Sequence, residues 1–369
     1  MLRAHTVRRR TIELRDEDPP ALIPGHALVR VHQVALCGTD LHIWDDDYPT
    51  ELPLVQGHEF TGRIEAIDQA AGSELAVGSA VAVSPMVYCG SCGPCLGGRP
   101  NVCESISCLG CYEDGALTEV ISVPVSKLHP VPEGMPLRLA VLGEPGSIAM
   151  QAVNRGRPEA GETAMVFGCG PIGLLTTLFL TELGVNVITS DLVPAKLEMS
   201  RKFGAVATML AGSGPFPDSS QRKELESWCR MSGPTLLIEA TGAAASFENA
   251  LTLAAPTARI VQVGISTATA ALSMRTVPFK ELDILGSRNS VNLIPAALAA
   301  LNRHQDLAED LITHTFDLAA VQEAFETMLD PAQGAGKIVI SMPVPEPASQ
   351  PGERAGAHAG THAGRHLEN

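Results

Sequence analysis

The segment Val166-Phe167-Gly168-Cys169-Gly170-Pro171-Ile172-Gly173 sets G-x-G-x-x-G directly behind an apolar strand pattern and at the head of an apolar helix pattern. Few folds accept that arrangement. A phosphate-binding turn requires it: Gly168 permits the tight turn, Gly170 lets backbone approach a pyrophosphate, and Gly173 lets helix and sheet pack closely. Pro171 and Ile172 then open a helix whose N-terminus faces the phosphates. The motif alone is weak, but its surroundings repeat the logic. Strand and helix patterns alternate over 163–167, 171–183, 185–190, 194–203, 235–239 and 258–263. That alternation predicts an α/β domain with a doubly wound parallel sheet. Asp191 follows the second strand, where its carboxylate can accept hydrogen bonds from a ribose diol and repel a 2′-phosphate. Leu192 and Val193 bring no arginine to hold such a phosphate, so NAD is expected over NADP.

Residues 1–145 read differently, as short β patterns (27–34, 60–67, 80–83) separated by turn residues. This part carries Cys89-x2-Cys92-x2-Cys95-x7-Cys103. Four thiolates from one loop can close a tetrahedral shell with no position left for substrate, which marks a structural zinc. Cys108 and Cys111 add a further C-x-x-C, which is open to redox activity or competition for metal, but with a complete set of four already present it reads first as buried or spare thiols. A second metal set is more dispersed: Cys37 in Cys-Gly-Thr-Asp-Leu-His, then His58 and Glu59 after Gly57, and Glu144 in Leu-Gly-Glu-Pro. Taken singly, each of these residues is more often structural. Together, a soft thiolate, an imidazole and a carboxylate can hold zinc while leaving one position open. The carboxylate is Glu59 or Glu144, directly or through water, with exchange between them open.

Composition closes off other functions. A net charge of −15 and 4% aromatic residues argue against a nucleic-acid surface, which needs excess Lys and Arg or stacking rings. No apolar run is long enough to span a bilayer. The first ten residues lack the apolar core of a secretory signal, so a cytoplasmic protein is expected. Residues 343–369, rich in Pro, Ala, Gly and His, are expected to form a disordered tail. His358, His362 and His366 recur there every four residues, but neighbouring glycines oppose a helix.

On these motifs the chain resembles the zinc-containing medium-chain dehydrogenase/reductase family over residues 1 to about 342. The resemblance implies a GroES-like catalytic domain (1–145) with both zinc sites and a Rossmann domain (146–287). Residues 288–342 then return to the first domain. It implies two zinc ions per chain, NAD, a small alcohol substrate and a homodimer or homotetramer with contacts near 283–286. It implies further that Thr39 accepts the substrate proton and His42 relays it. Backbone near Thr241, Val263 and Gly264 then positions the nicotinamide. Glu59 and Glu144 resemble the polyol and threonine dehydrogenase branch. Later segments (234–240, 255–260, 280–284, 286–289, 311–316) resemble the L-galactonate and L-gulonate 5-dehydrogenases. An alditol, an aminocyclitol or threonine are the other substrates of that branch, and a catalytically silent nucleotide-binding protein is the reading outside enzymes. Cys108, Cys111, Ala116-Leu117 and Gly146 depart from the group, and Arg288 is open between substrate, cofactor and a surface ion pair.

Overall fold

In the computed structural model, which describes residues 1–212 and 216–343, six parallel strands form one sheet. Its order is Ala207–Leu210, Asn186–Asp191, Thr163–Phe167, Leu236–Glu239, Arg259–Gln262 and Asp283–Gly286, which is 3-2-1-4-5-6 counted along the chain. All five residues of the Thr-Ala-Met-Val-Phe strand are buried. A strand covered by helices on both faces reads as a continuous apolar run rather than an alternating one. Strand order reverses between Thr163–Phe167 and Leu236–Glu239, and this is where doubly wound sheets open a crevice at their carboxyl ends. The glycine turn lies there. Gly168 has φ +94, and a Cβ on Gly173 would stand 1.8 Å from the Gly168 carbonyl oxygen.

The N-terminal region folds around a seven-stranded sheet. His26–Ala35 is its hub, pairing antiparallel with Glu59–Ile67, Val120–Pro124 and Lys337–Ser341. The last of these also pairs parallel with Ile312–Asp317, so two late strands lie in the N-terminal sheet. A smaller sheet of Thr11–Asp16, Leu2–Arg8 and Leu54–Val55 flanks it.

Helix Gly143–Gly156 runs unbroken through the boundary expected at 145/146 and carries Glu144 in its first turn. It packs closely on helix Ile294–Arg303. A Cβ on Gly143 would meet Leu298 at 2.8 Å, and one on Gly146 would meet Ala297 Cβ at 3.1 Å. Gly146 therefore answers to helix packing. One apolar cluster extends from Ala35 and Val339 in the first sheet through Leu142 and Ala149 to Val166 and Leu175 beside the second. Among the described residues no helix is long and apolar enough to cross a membrane. The tail expected over 343–369 lies, from 344 onward, outside the described residues.

Candidate metal and dinucleotide sites

Cys37 is extended and caps helix Gly38–Trp44. Its backbone N–H donates to Asp40 Oδ2 at 2.8 Å. Asp40 is fully buried, and its other oxygen lies 3.5 Å from His58 Nδ1. Cys111 Sγ approaches the same nitrogen at 3.7 Å. With Nδ1 engaged, Nε2 is the atom left for a metal, the usual division of labour in a ligating imidazole. Burial opposes charge on His58, but Asp40 and Cys111 outweigh it and hold its pKa well above the ordinary value.

Glu59 begins the strand that follows His58 and pairs with Ala35. The ligand atoms of Cys37, His58 and Glu59 all lie within 4.8 Å of one another. Both Glu59 oxygens also accept from Lys337 Nζ, at 2.9 and 2.8 Å, with the ammonium donating to the Leu36 carbonyl at 3.2 Å as well. Burial raises the Glu59 pKa and Lys337 pulls it back. Burial likewise opposes charge on Lys337, and Glu59 with Cys37 restores it. Lys337 was missed from sequence, although a signal existed: a lysine opening an apolar strand must find a counter-charge if the strand is buried.

Glu144 stands outside this three-residue group. Among the described residues no side chain donates to its carboxylate, and burial followed by the charge of Glu59 pushes it up to about 8. A carboxylate facing a thiol, an imidazole and another carboxylate, with no cation of its own, fits a site completed by a metal. Thiolate, imidazole and carboxylate from separate loops form the donor set that suits zinc.

Thr39 and His42 lie three apart on helix Gly38–Trp44 and so share a face. Thr39 is half-buried. His42 is exposed, with Nδ1 2.9 and 3.1 Å from the Asp47 carboxylate oxygens.

Cys89, Cys92, Cys95 and Cys103 offer four sulfurs within 4.8 Å of one another. Cys92 and Cys103 are 3.7 Å apart, Cys103 and Cys89 3.5 Å. A tetrahedron with Zn–S bonds of about 2.3 Å has edges of about 3.8 Å, so the loop is shaped for the ion. Backbone N–H groups of Ser91 and Cys92 donate to Cys89 Sγ, and that of Ser105 to Cys103 Sγ. Nearby, Asn101 and Asn289 clasp the loop to the late chain: Asn101 Nδ2 donates to the Arg288 carbonyl and Asn289 Nδ2 to the Asn101 carbonyl. The Arg288 residue itself is exposed.

At the dinucleotide turn, Gly170 caps helix Pro171–Glu182, with Pro171 and Ile172 in its first turn. Asp191 Oδ2 accepts from the Cys169 N–H at 2.8 Å and Oδ1 from the Val193 N–H at 2.9 Å. The carboxylate thus braces the glycine turn while keeping lone pairs for a diol. Glu239, another residue missed from sequence, organises the far side. Its carboxylate accepts from the Thr241 and Gly242 N–H groups at 2.9 Å each and from Gln262 Nε2 at 2.7 Å. Its carbonyl accepts from Val263 and Gly264. The three positions expected to hold the nicotinamide are therefore gathered by one buried glutamate. A cavity of about 550 Å³ opens against Gly242, Phe247, Val263, Gly264, Ile265 and Ser287.

Known proteins agree with this architecture. Residues 23–133 match the alcohol dehydrogenase GroES-like domain, and residues 171–303 match the zinc-binding dehydrogenase domain. The starvation-sensing protein RspB of Escherichia coli is 34% identical over 331 residues, covering 88% of this chain and 95% of that one. The L-galactonate-5-dehydrogenase of Escherichia coli is 33% identical over 311 residues, covering 82% and 88%. A crystal structure of Escherichia coli RspB complexed with NADH superposes with a TM-score of 0.84 at 34% identity, covering 92% of this chain and 99% of that one. With a GroES-like sheet, a Rossmann sheet and both donor sets in place, the chain belongs to the zinc-containing medium-chain dehydrogenase/reductase family.

Proposed function

We propose that the protein reversibly oxidises a secondary alcohol of a polyhydroxylated small molecule, a sugar acid such as L-galactonate or L-gulonate, with NAD. The observation that carries this reading is the pair of carboxylates at the metal site. Glu144 stands near Glu59 and His58, which gives an environment richer in hydrogen-bonding oxygens than thiolate ligands would. Similarity to a dehydrogenase named for L-galactonate supports the acid, and 31% identity over 317 residues to the D-altritol 5-dehydrogenase of Agrobacterium fabrum supports an alditol as the second reading.

When bound, zinc supplies the Lewis acidity that eases loss of the hydroxyl proton, and NAD supplies the hydride acceptor. The chain's residues do the rest. Thr39 accepts the hydroxyl proton, and His42, one helical turn on and anchored by Asp47, passes it to solvent. Asp191 selects the unphosphorylated ribose, and Glu239 holds the backbone against which the nicotinamide lies. We infer also that the protein works as a homodimer or homotetramer. Among the described residues strand Asp283–Gly286 has one unpaired edge, and Met274 and Phe279 before it are 84% and 72% exposed. A single monomer boundary in sedimentation velocity overturns this.

The test of the reaction is a panel of zinc-loaded protein with NAD or NADP and hexonates, alditols, aminocyclitols or L-threonine. NADH formed fastest from a hexonate is the expected result. NADH from an alditol alone overturns the sugar-acid assignment, and no reduced cofactor from any alcohol returns the silent nucleotide-binding reading.

A further inference from the structure

Two thiols have no part in this chemistry. Cys108 and Cys111 are 6% and 4% exposed and sit in a small apolar cluster with Ile43, Leu54 and Met86. The Cys111 N–H donates to the Cys108 carbonyl at 3.1 Å, which closes a four-residue β-turn. Gly110, at the third position, has φ +83, as a turn of this hand requires. Such a turn holds its end Cα atoms within about 7 Å. Disulfides are built across separations of about 4.4–6.8 Å.

The turn is fastened to the loop that carries His58. A Cβ on Gly110 would stand 2.6 Å from the Gly57 carbonyl, so the two backbones touch. Three hydrogen bonds extend the seam: Gly115 N–H to Val55, Leu117 N–H to Gln56 and Ala116 N–H to Gly57, at 2.6, 2.9 and 2.8 Å. Cys111 Sγ completes it, 3.7 Å from His58 Nδ1.

We propose that Cys108 and Cys111 form a reversible dithiol–disulfide site that sets how firmly His58 holds its metal. The oxidant is hydrogen peroxide. The Cys111 sulfur attacks one peroxide oxygen, the O–O bond breaks, and water leaves with the thiol proton, giving a sulfenic acid. The Cys108 sulfur displaces that hydroxyl, an S–S bond forms, and a second water carries off the Cys108 proton. The two sulfurs give up two electrons and the peroxide takes them. A dithiol reductant reverses the change. In the reduced state His58 Nδ1 faces both Asp40 and the Cys111 sulfur. Disulfide formation draws that sulfur toward Cys108 and weakens it as an acceptor. Partners of the far nitrogen of a ligating imidazole commonly alter metal affinity by about 10- to 100-fold. The inference stands whichever alcohol is the substrate.

The holoenzyme is treated with hydrogen peroxide, alkylated, digested and mapped by mass spectrometry, while a chromogenic chelator follows zinc release. Release from the Cys89 loop is measured separately on Cys37→Ser. The expected result is a 108–111 peptide that is two hydrogens lighter and resists alkylation until reduced. Release from the His58 site should be on the order of tenfold faster, with both changes reversed by dithiothreitol. Cys108→Ser, which keeps Cys111 beside His58, should form no such link and release zinc at the reduced rate, and Cys108→Ala serves if the serine variant does not fold. If both thiols in the wild-type protein remain alkylatable, or if the disulfide forms without changing zinc release, the proposal is overturned. A disulfide that governs zinc release in a protein inert toward hexonates upholds it and removes only the substrate assignment.

Discussion

Lys337 places its ammonium 2.9 and 2.8 Å from the two oxygens of Glu59, with both side chains buried and the two residues 278 positions apart in the chain. The pair joins the closing strand of the chain to the residue after His58. It also gives Glu59 a counter-charge of its own, which Glu144 lacks. The late strand thus helps set the charge of the metal site from the rear.

In the metal-free protein, removing the ammonium leaves Glu59 a buried carboxylate without its ion-pair partner. Lys337→Met should lower stability by about 3–5 kcal/mol, read as a fall in Tm, and Lys337→Met with Glu59→Gln should recover most of it. Unchanged Tm in the single variant would remove the pair from any role in the fold.

Zinc content should separate the two donor sets. Cys37→Ser and Cys103→Ser should each lower zinc by about one ion per chain, measured by elemental analysis. If Cys37→Ser keeps the wild-type zinc content, the catalytic donor set is misassigned.

Asp191 braces the Cys169 N–H, and its proposed role is to accept hydrogen bonds from the ribose of NAD. A hydrogen bond to a charged group contributes about 1.5–3 kcal/mol, so Asp191→Ala should weaken NAD binding by on the order of tenfold or more. Discrimination against NADP should shrink with it. Calorimetric titration with both dinucleotides checks this, and an undiminished NAD preference counts against the carboxylate as selector.

Arg10, and then Arg9, hold the Asp45 carboxyl down to about 2, against an ordinary value of 3.8. The pairing clips the Leu2–Asp16 hairpin to the end of the helix that carries Thr39 and His42. Because the folded pKa is depressed, any stabilisation from this contact is present above pH 3.8 and disappears as pH falls through about 2. A carboxyl NMR titration should find the low midpoint, and Arg10→Gln should move it upward.

Gly146 offers a packing test. Its Cβ would lie 3.1 Å from Ala297 and 3.4 Å from a Leu301 methyl, so Gly146→Leu should overpack the helix pair at a cost of about 1–3 kcal/mol. Wild-type Tm in that variant would show that the two helices yield.

Local spacing made much of this protein readable. The glycine turn, the four-cysteine loop and the alternating patterns depend on residues a few positions apart, and short-range sterics and periodicity decide them. The strand read at 80–83 is Ala80–Val83, and the closing strand is Lys337–Ser341. Tertiary structure decided the contacts between distant segments. Lys337 meets Glu59 because His26–Ala35 pairs with Glu59–Ile67 on one side and Lys337–Ser341 on the other. A one-residue slip in either register would turn a side chain to the opposite face. Cys111 reaches His58, 53 positions away, because Gly110 packs on Gly57. Glu239 gathers Thr241 and Gly264 through the parallel register of its strand with Arg259–Gln262. Those partners follow from strand register and backbone packing, which only the assembled chain sets.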